Sequence, residues 1–72
     1  MKQRTYRLVL EGELDDRFTE AFSGMNLTRD HGNTILTGPV RDQADLQGHL
    51  QRIAGLGLTL VSANTLGDQD SP

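Results

Sequence analysis

The spacing of hydrophobic and polar residues changes near the middle of the chain. Before Gly38 the two kinds alternate as in a strand, and after Asp42 the apolar residues recur every three to four positions, as in a helix. Gly38-Pro39 predicts the end of a strand, because proline lacks the N–H that a strand ladder uses. Asp42 occupies the position of a helix N-cap, and Asp45 adds negative charge at the positive end of the helix dipole.

The same patterns predict four strands and two helices along the chain. The first helix is indicated by an apolar stripe with helical spacing after Asp15-Asp16, and the second by Leu46, Leu50 and Ile53. In chain order the predicted elements are a strand over residues 5–11, a helix with the stripe Phe18, Ala21, Phe22 and Met25, strands over residues 26–30 and 34–38, a helix over residues 43–55 and a strand over residues 58–65.

This order, β-α-β-β-α-β, predicts an α+β protein of the ferredoxin-like class. Its four-stranded antiparallel-type sheet would carry strands one and three in the centre and both helices on one face. The 72 residues leave no room for a second core. We expect a single domain over residues 1–66, and a disordered tail over residues 67–72, which contain no apolar residue.

The sheet face opposite the helices has nothing to cover it in this topology. Val9, Ile35, Val61 and Ala63 are predicted to form an apolar stripe there, with Arg7 at its rim. Because exposed sheet faces are ordinarily polar, the stripe predicts an interface. The alternative is a scatter of small apolar residues without consequence. The register of the last strand decides which face its stripe residues occupy, because a slip of one residue moves every side chain of the strand to the opposite face.

Composition excludes several classes of function. The net charge of −3, a pI near 5.1 and the scattered Lys and Arg argue against a nucleic-acid surface. There is no cysteine, so disulfides and thiolate metal sites are excluded. The first apolar run, Leu8-Val9-Leu10, is too short for a signal peptide or a membrane span. We therefore expect a cytoplasmic protein without a membrane partner.

No residue pattern indicates a catalytic, cofactor or metal site. His49 lies beside the buried stripe of the second helix and is interpreted as a partly buried histidine with a hydrogen-bond partner, the alternative being a proton-transfer or ligand role. His31 is predicted to be a turn residue facing solvent. Gly48 is predicted to allow a close contact with a neighbouring element, because glycine weakens a helix interior.

Two pairs of carboxylates are interpreted as helix caps rather than as acid–base pairs. Asp15 and Asp16 precede the first predicted helix, while Asp42 and Asp45 open the second.

One run of residues resembles a group of short bacterial proteins of no assigned function. The shared pattern is similar to LTGPVxDQAxLxGxLxxxxxLGLxLxS, and the resemblance covers roughly residues 5 to 65. It implies kinship and no catalytic residues. At Gln47 and His49 the chain departs from the pattern, so the resemblance supports no role for a histidine at a fixed place. The residues that carry it are Leu36-Thr37-Gly38-Pro39-Val40, Asp42-Gln43-Ala44, Leu46, Gly48, Leu50 and Leu56-Gly57-Leu58.

These observations favour a small non-enzymatic interaction or regulatory module that forms a homodimer through its open sheet face. The alternative is a small-molecule-binding protein or an enzyme, with a site between the sheets of a dimer. A cavity lined by His, Arg or Tyr would favour that alternative. A third hypothesis, RNA binding by the sheet face, would need stacking aromatic residues, and the predicted open face of the two central strands carries none.

Overall fold

A computed structural model describes residues 4–22 and 24–66 of the protein. The predicted tail over residues 67–72 lies outside the described residues. No helix in the described part is both long and apolar enough to cross a membrane. The elements are β1 (Arg4–Glu11), α1 (Phe18–Ala21), β2 (Asn26–Asp30), β3 (Asn33–Val40), α2 (Gln43–Gly55) and β4 (Leu60–Leu66).

The four strands form one sheet in the order β2-β3-β1-β4, and every neighbouring pair is antiparallel. β1 and β3 lie in the centre, as the sequence predicts. They pair along their whole lengths, from Arg4 opposite Val40 to Glu11 opposite Asn33. The protein is therefore an α+β protein built on a four-stranded antiparallel sheet with two helices.

The hydrophobic core lies on one face of this sheet. Leu8 and Leu36 face each other across the central pair and are fully buried, as is Leu10. Phe22, which follows α1, and Ile53 of α2 belong to the same buried cluster. Complete burial of side chains of this size contributes about 1.5–3 kcal/mol each. Both helical segments are thus held against one side of the sheet.

The first helix is much shorter than its apolar stripe predicts. α1 has four residues, and its N-cap Arg17 makes no side-chain cap bond, so the prediction of a cap at Asp15-Asp16 is wrong. Asp15 instead accepts the Arg17 N–H at 3.0 Å, and Asp16 pairs with Arg29. The first two N–H groups of α1, those of Phe18 and Thr19, bond to the Asp15 and Asp16 carbonyls at 3.2 and 3.0 Å, and the helix ends after a single turn.

The chain after α1 runs in tight turns instead of a longer helix. Met25 donates its N–H to the Phe22 carbonyl at 3.0 Å, and Gly24 has a φ of 88°. Phe22 and Met25 are nevertheless buried, as the stripe predicts.

Thr34 fastens the loop after β1 to the central strand β3. Its side chain is fully buried on the core face, opposite Leu10. The hydroxyl donates to the Gly12 carbonyl at 2.7 Å and accepts the Leu14 N–H at 2.8 Å. One buried hydroxyl therefore satisfies two polar groups of a loop that would otherwise lack partners.

β3 does not end at Gly38-Pro39, and this prediction is wrong. The strand continues to Val40, with Pro39 opposite Thr5 of β1. On its other side, β3 pairs with β2 as far as Thr37, which lies opposite Asn26, the first residue of β2. Beyond Thr37 that side of β3 is a free edge, where a residue without an N–H is tolerated.

Gly38 and Gly48 have opposite surroundings. A Cβ at Gly38 would lie 2.8 Å from the Gly24 carbonyl oxygen and 3.0 Å from the Met25 Cα, so the backbone of the preceding segment approaches β3 closely there. A Cβ at Gly48 would meet nothing within 4 Å. The prediction of a close contact at Gly48 is therefore wrong. It is Gly38 that permits one.

We predict that Gly38→Ala and Gly48→Ala change stability in opposite directions. Gly38→Ala should lower the free energy of unfolding by about 1–3 kcal/mol, because backbone atoms cannot move aside as a flexible side chain can. Gly48→Ala should raise it by up to about 1 kcal/mol through helix propensity alone. Urea unfolding of both variants measures this. A stable Gly38→Ala protein would contradict the packing described for β3.

Candidate functional site

The open sheet face carries a smaller apolar patch than the sequence predicts. Leu8 and Leu10 face the core, so Val9 between them faces the open side, opposite Ile35 on β3 and Ser62 on β4. Val9 is only 9% exposed, and Ile35 is partly buried. The residues around this pair are polar, namely Arg7, Thr28, Thr37, Ser62 and Asn64.

The predicted interface set is divided between different parts of the sheet. Arg7, Val9 and Ile35 share the open face, but Ala63 lies opposite Leu8 and therefore on the helix side. The placement of Ala63 on the open face is wrong, and the role of these residues as an interface stays a prediction.

A β-bulge explains the difference. Val9 pairs with Ser62 and Leu10 pairs with Leu60, which makes Val61 an extra residue in β4. In a regular strand Leu60 and Ala63, three positions apart, would lie on opposite faces, because side chains alternate. The extra residue places both on the helix side.

The two edges of the sheet differ in their protection. β2, at one edge, carries Arg29 and Asp30 among its five residues. β4, at the other edge, has seven residues and no charge. Leu60, Val61 and Leu66 of this strand are 38%, 55% and 38% exposed. Charged residues on an edge strand discourage pairing with another chain, so β4 is the unprotected edge of the described sheet.

The backbone of β4 presents specific groups to this free edge. Glu11 of β1 donates its N–H to the Thr59 carbonyl at 2.9 Å, next to β4. N–H groups of alternate residues in a strand point the same way, so those of Val9 and Arg7 also face β4. Their partners, Ser62 and Asn64, use their own groups in this ladder. The intervening residue, Ala63, and after it Thr65 direct N–H and C=O outward.

The start of α2 is fixed by two carboxylates. Asp42 is the N-cap, as the sequence predicts, and its Oδ1 accepts the Asp45 N–H at 2.8 Å. Asp45 Oδ2 in turn accepts the Arg41 N–H at 3.0 Å. This reciprocal arrangement resembles a capping box, in which two orphan donors of a helix start are satisfied together. The predictions that Asp42 caps α2 and that Asp45 lies in its first turn are confirmed.

The environment of Asp45 favours its charged form. The hydrogen bond from the Arg41 N–H is the largest cause that holds the pKa of Asp45 below its ordinary value of 3.8. The charges of Arg41 and His49 act in the same direction, and partial burial opposes them. Arg41 Nε lies 3.6 Å from Asp45 Oδ2.

His49 is buried, as predicted, but its ring is poorly satisfied. The residue is 8% exposed. Its Nε2 lies 3.7 Å from Asp45 Oδ1, which is too long for a hydrogen bond. Its Nδ1 is buried and has no hydrogen-bond partner. Among the described residues, the predicted hydrogen-bond partner of His49 is therefore not found.

His31 lies in the turn between β2 and β3, as predicted. It has a φ of 53°, and its side chain is 91% exposed. Its Nδ1 lies 2.6 Å from Asp30 Oδ1. Within residues 4–22 and 24–66, no three His, Cys, Asp or Glu side chains form a group that could hold a metal ion.

Two open cavities flank the N-terminus of α2. One of about 330 Å³ is lined by Arg4, Tyr6 and Leu46 among others, and one of about 320 Å³ by Gly48, His49 and Arg52 among others. Arg41 and Asp42 border both, so each contains positive and negative groups together. Arg52 also donates to the Ala21 carbonyl at 2.8 Å. Neither cavity concentrates charge of one sign.

We predict that Asp42→Ala lowers the free energy of unfolding by about 0.5–2 kcal/mol, whereas Asp42→Asn and Asp42→Ser have much smaller effects. Both replacements keep an oxygen that can accept the Asp45 N–H. Denaturant unfolding monitored by circular dichroism provides the measurement. If asparagine were as damaging as alanine, the capping role would be wrong.

The lowered pKa of Asp45 predicts a loss of stability in acid. A carboxyl group whose pKa is lower in the folded than in the unfolded chain stabilises the fold above the unfolded value, and this contribution disappears as pH falls through the folded value. The difference in unfolding free energy between the wild type and Asp45→Asn should therefore shrink below about pH 4. A carboxyl ¹³C titration should place the pKa of Asp45 below 3.8. A midpoint at or above that value would contradict the hydrogen-bond assignment.

Comparison with known proteins gives a match to a family profile. No curated protein and no solved structure matches the chain. One family profile matches residues 5–64, and its description is a domain of unknown function, DUF8691. This agrees with the uncharacterised group that the sequence resembles, while the shared motif itself stays a prediction. Since the match covers most of the 72 residues, the chain belongs to the DUF8691 family, a domain of unknown function.

Proposed function

We propose that the protein is a small non-enzymatic interaction module, on a ferredoxin-like scaffold, that binds through the free edge of β4. The single observation that carries this proposal is the contrast between the two edges of the sheet. β4 exposes Leu60, Val61 and Leu66 and has no charge, whereas β2 is charged. Strand addition at such an edge supplies backbone hydrogen bonds, and neighbouring side chains supply selectivity. The cytoplasm remains the predicted compartment.

The edge is a better contact surface than the open face. The predicted homodimer through that face depends on an apolar stripe, and the register of the sheet leaves Ala63 out of it. Val9 has lost most of its exposed surface to its neighbours on the sheet. Little apolar area is left to bury, so the face is the weaker candidate interface.

Small-molecule binding is the second candidate function. The observation that favours it is the cavity of about 330 Å³ whose lining includes Arg4, Tyr6 and Arg41. It opens at the N-terminus of α2 rather than between sheets. The neighbouring Asp42 carboxylate would repel an anionic ligand, and it already caps the helix. These features make the cavity secondary to the β4 edge.

We predict that a photoreactive amino acid at Val61 forms a defined covalent adduct in living cells, and that one at Thr28 on β2 does not. Both positions are exposed on an edge strand, so Thr28 controls for random collisions. Combining the probe with Ala63→Pro should abolish the adduct, because proline removes the outward-facing N–H of residue 63 that a partner strand would need. The fold itself makes no use of that N–H.

The adduct is read as a band of increased mass on a denaturing gel. The proposal would be overturned by two results: no adduct from position 61, or an adduct that persists beside Ala63→Pro in a protein with an unchanged circular dichroism spectrum.

A further inference from the structure

We infer that the strand that pairs with β4 is β4 of a second copy of this chain, running antiparallel about a two-fold axis at Ala63. This inference rests on the proposed function and identifies its partner. It follows from the backbone geometry of the edge, from the side chains that the axis would bring together and from the absence of charge in the strand.

The backbone geometry places the axis at Ala63. A two-fold axis through an antiparallel pair sets one residue opposite its own copy, and the copies exchange two hydrogen bonds there when that residue directs both N–H and C=O toward the partner. Ala63 and Thr65 both direct these groups outward, and Ala63 is the middle residue of β4, so an axis at Ala63 pairs the strand along its whole length. Ser62 and Asn64 use these groups toward β1, while Ala63 between them directs its groups outward. Ala63 opposite Ala63 of the second copy would exchange two hydrogen bonds.

The side chains beside the axis are mutually compatible. Ser62 would lie opposite Asn64 of the second copy on the open face, where a hydroxyl and an amide can bond to each other. Beyond Ser62 the bulge at Val61 interrupts the regular ladder, so the pairs nearest the axis carry the contact. Alanine at the axis leaves room for its own copy.

The charge pattern removes the usual obstacle to self-pairing. Each copy carries a net charge of −3, but none of its charged residues lies in Leu60–Leu66. Two identical strands therefore meet without opposing like charges.

One paired strand buries less surface than stable interfaces of about 1,200–2,000 Å². We therefore expect a reversible dimer, visible by sedimentation between roughly 10 μM and 1 mM.

Ala63→Cys tests the position of the axis. The chain has no cysteine, so the introduced thiol is the only one. Residues opposite each other in a hydrogen-bonded antiparallel pair have Cα atoms about 5.5 Å apart, a distance that a disulfide spans. Under mild oxidation this variant should form a covalent dimer on a non-reducing gel.

Two further cysteine variants serve as matched controls. Asn64→Cys would lie opposite Ser62 and not opposite its own copy, so its dimer yield should be at least tenfold lower. Thr28→Cys on the charged edge should stay monomeric. Equal yields from positions 63 and 64 would show that the axis does not lie at Ala63. Equal yields from positions 28 and 63 would show that the covalent dimer arises from random collision.

Ala63→Pro provides an independent test without cysteine. It should weaken self-association of the full chain at least tenfold, because both hydrogen bonds at the axis depend on the Ala63 N–H of one copy or the other. Its circular dichroism spectrum should match that of the wild type.

The inference and the proposed function can fail separately. A wild-type chain that stays monomeric up to about 1 mM, with Val61 crosslinked to a heavier protein, would overturn the second copy and leave the module in place. A monomeric chain without any crosslink would overturn both.

Discussion

The full-length pairing of β1 with β3 is the constraint on which the rest of the structure depends. It sets Leu8 against Leu36 at the centre of the core. It also brings Thr34 beneath the loop that follows β1, where one hydroxyl holds Gly12 and Leu14. A shift of one residue in this ladder would turn Leu8 and Leu10 toward the open face and Arg7 and Val9 toward the core.

The elements that could be predicted from sequence are those whose signal is local. The stripe of α2 and its cap at Asp42 depend on residues within one or two turns of each other, and both are present. The central position of β1 and β3 follows from the order of elements, since right-handed crossovers leave few arrangements. The predictions that were wrong concern features that depend on contacts between segments distant in the sequence. The length of α1 is one example, because Arg29 of β2 engages Asp16 near its start.

Glycine and proline positions show the same division. A glycine weakens any helix interior, so the sequence could suggest that Gly48 allows a compensating contact. It could not show whether that contact is formed. The close approach at Gly38 involves Gly24 and Met25, more than ten positions away, and no local pattern announces it. For the candidate site, a single extra residue, Val61, reversed the face of Ala63. Bulges of this kind leave no strong trace in the alternation of hydrophobic and polar residues.

The unequal edges of the sheet also limit how large an assembly can grow. A sheet with two unprotected edges can add strands at both sides, and repeated addition leads to fibres. In this chain the charged β2 edge closes one side, so growth can occur only at β4. An isologous contact at β4 uses that edge in both partners and leaves only β2 edges outside. In a dimer of this kind, Arg29 and Asp30 would lie outside the contact, and their charges would keep the assembly finite.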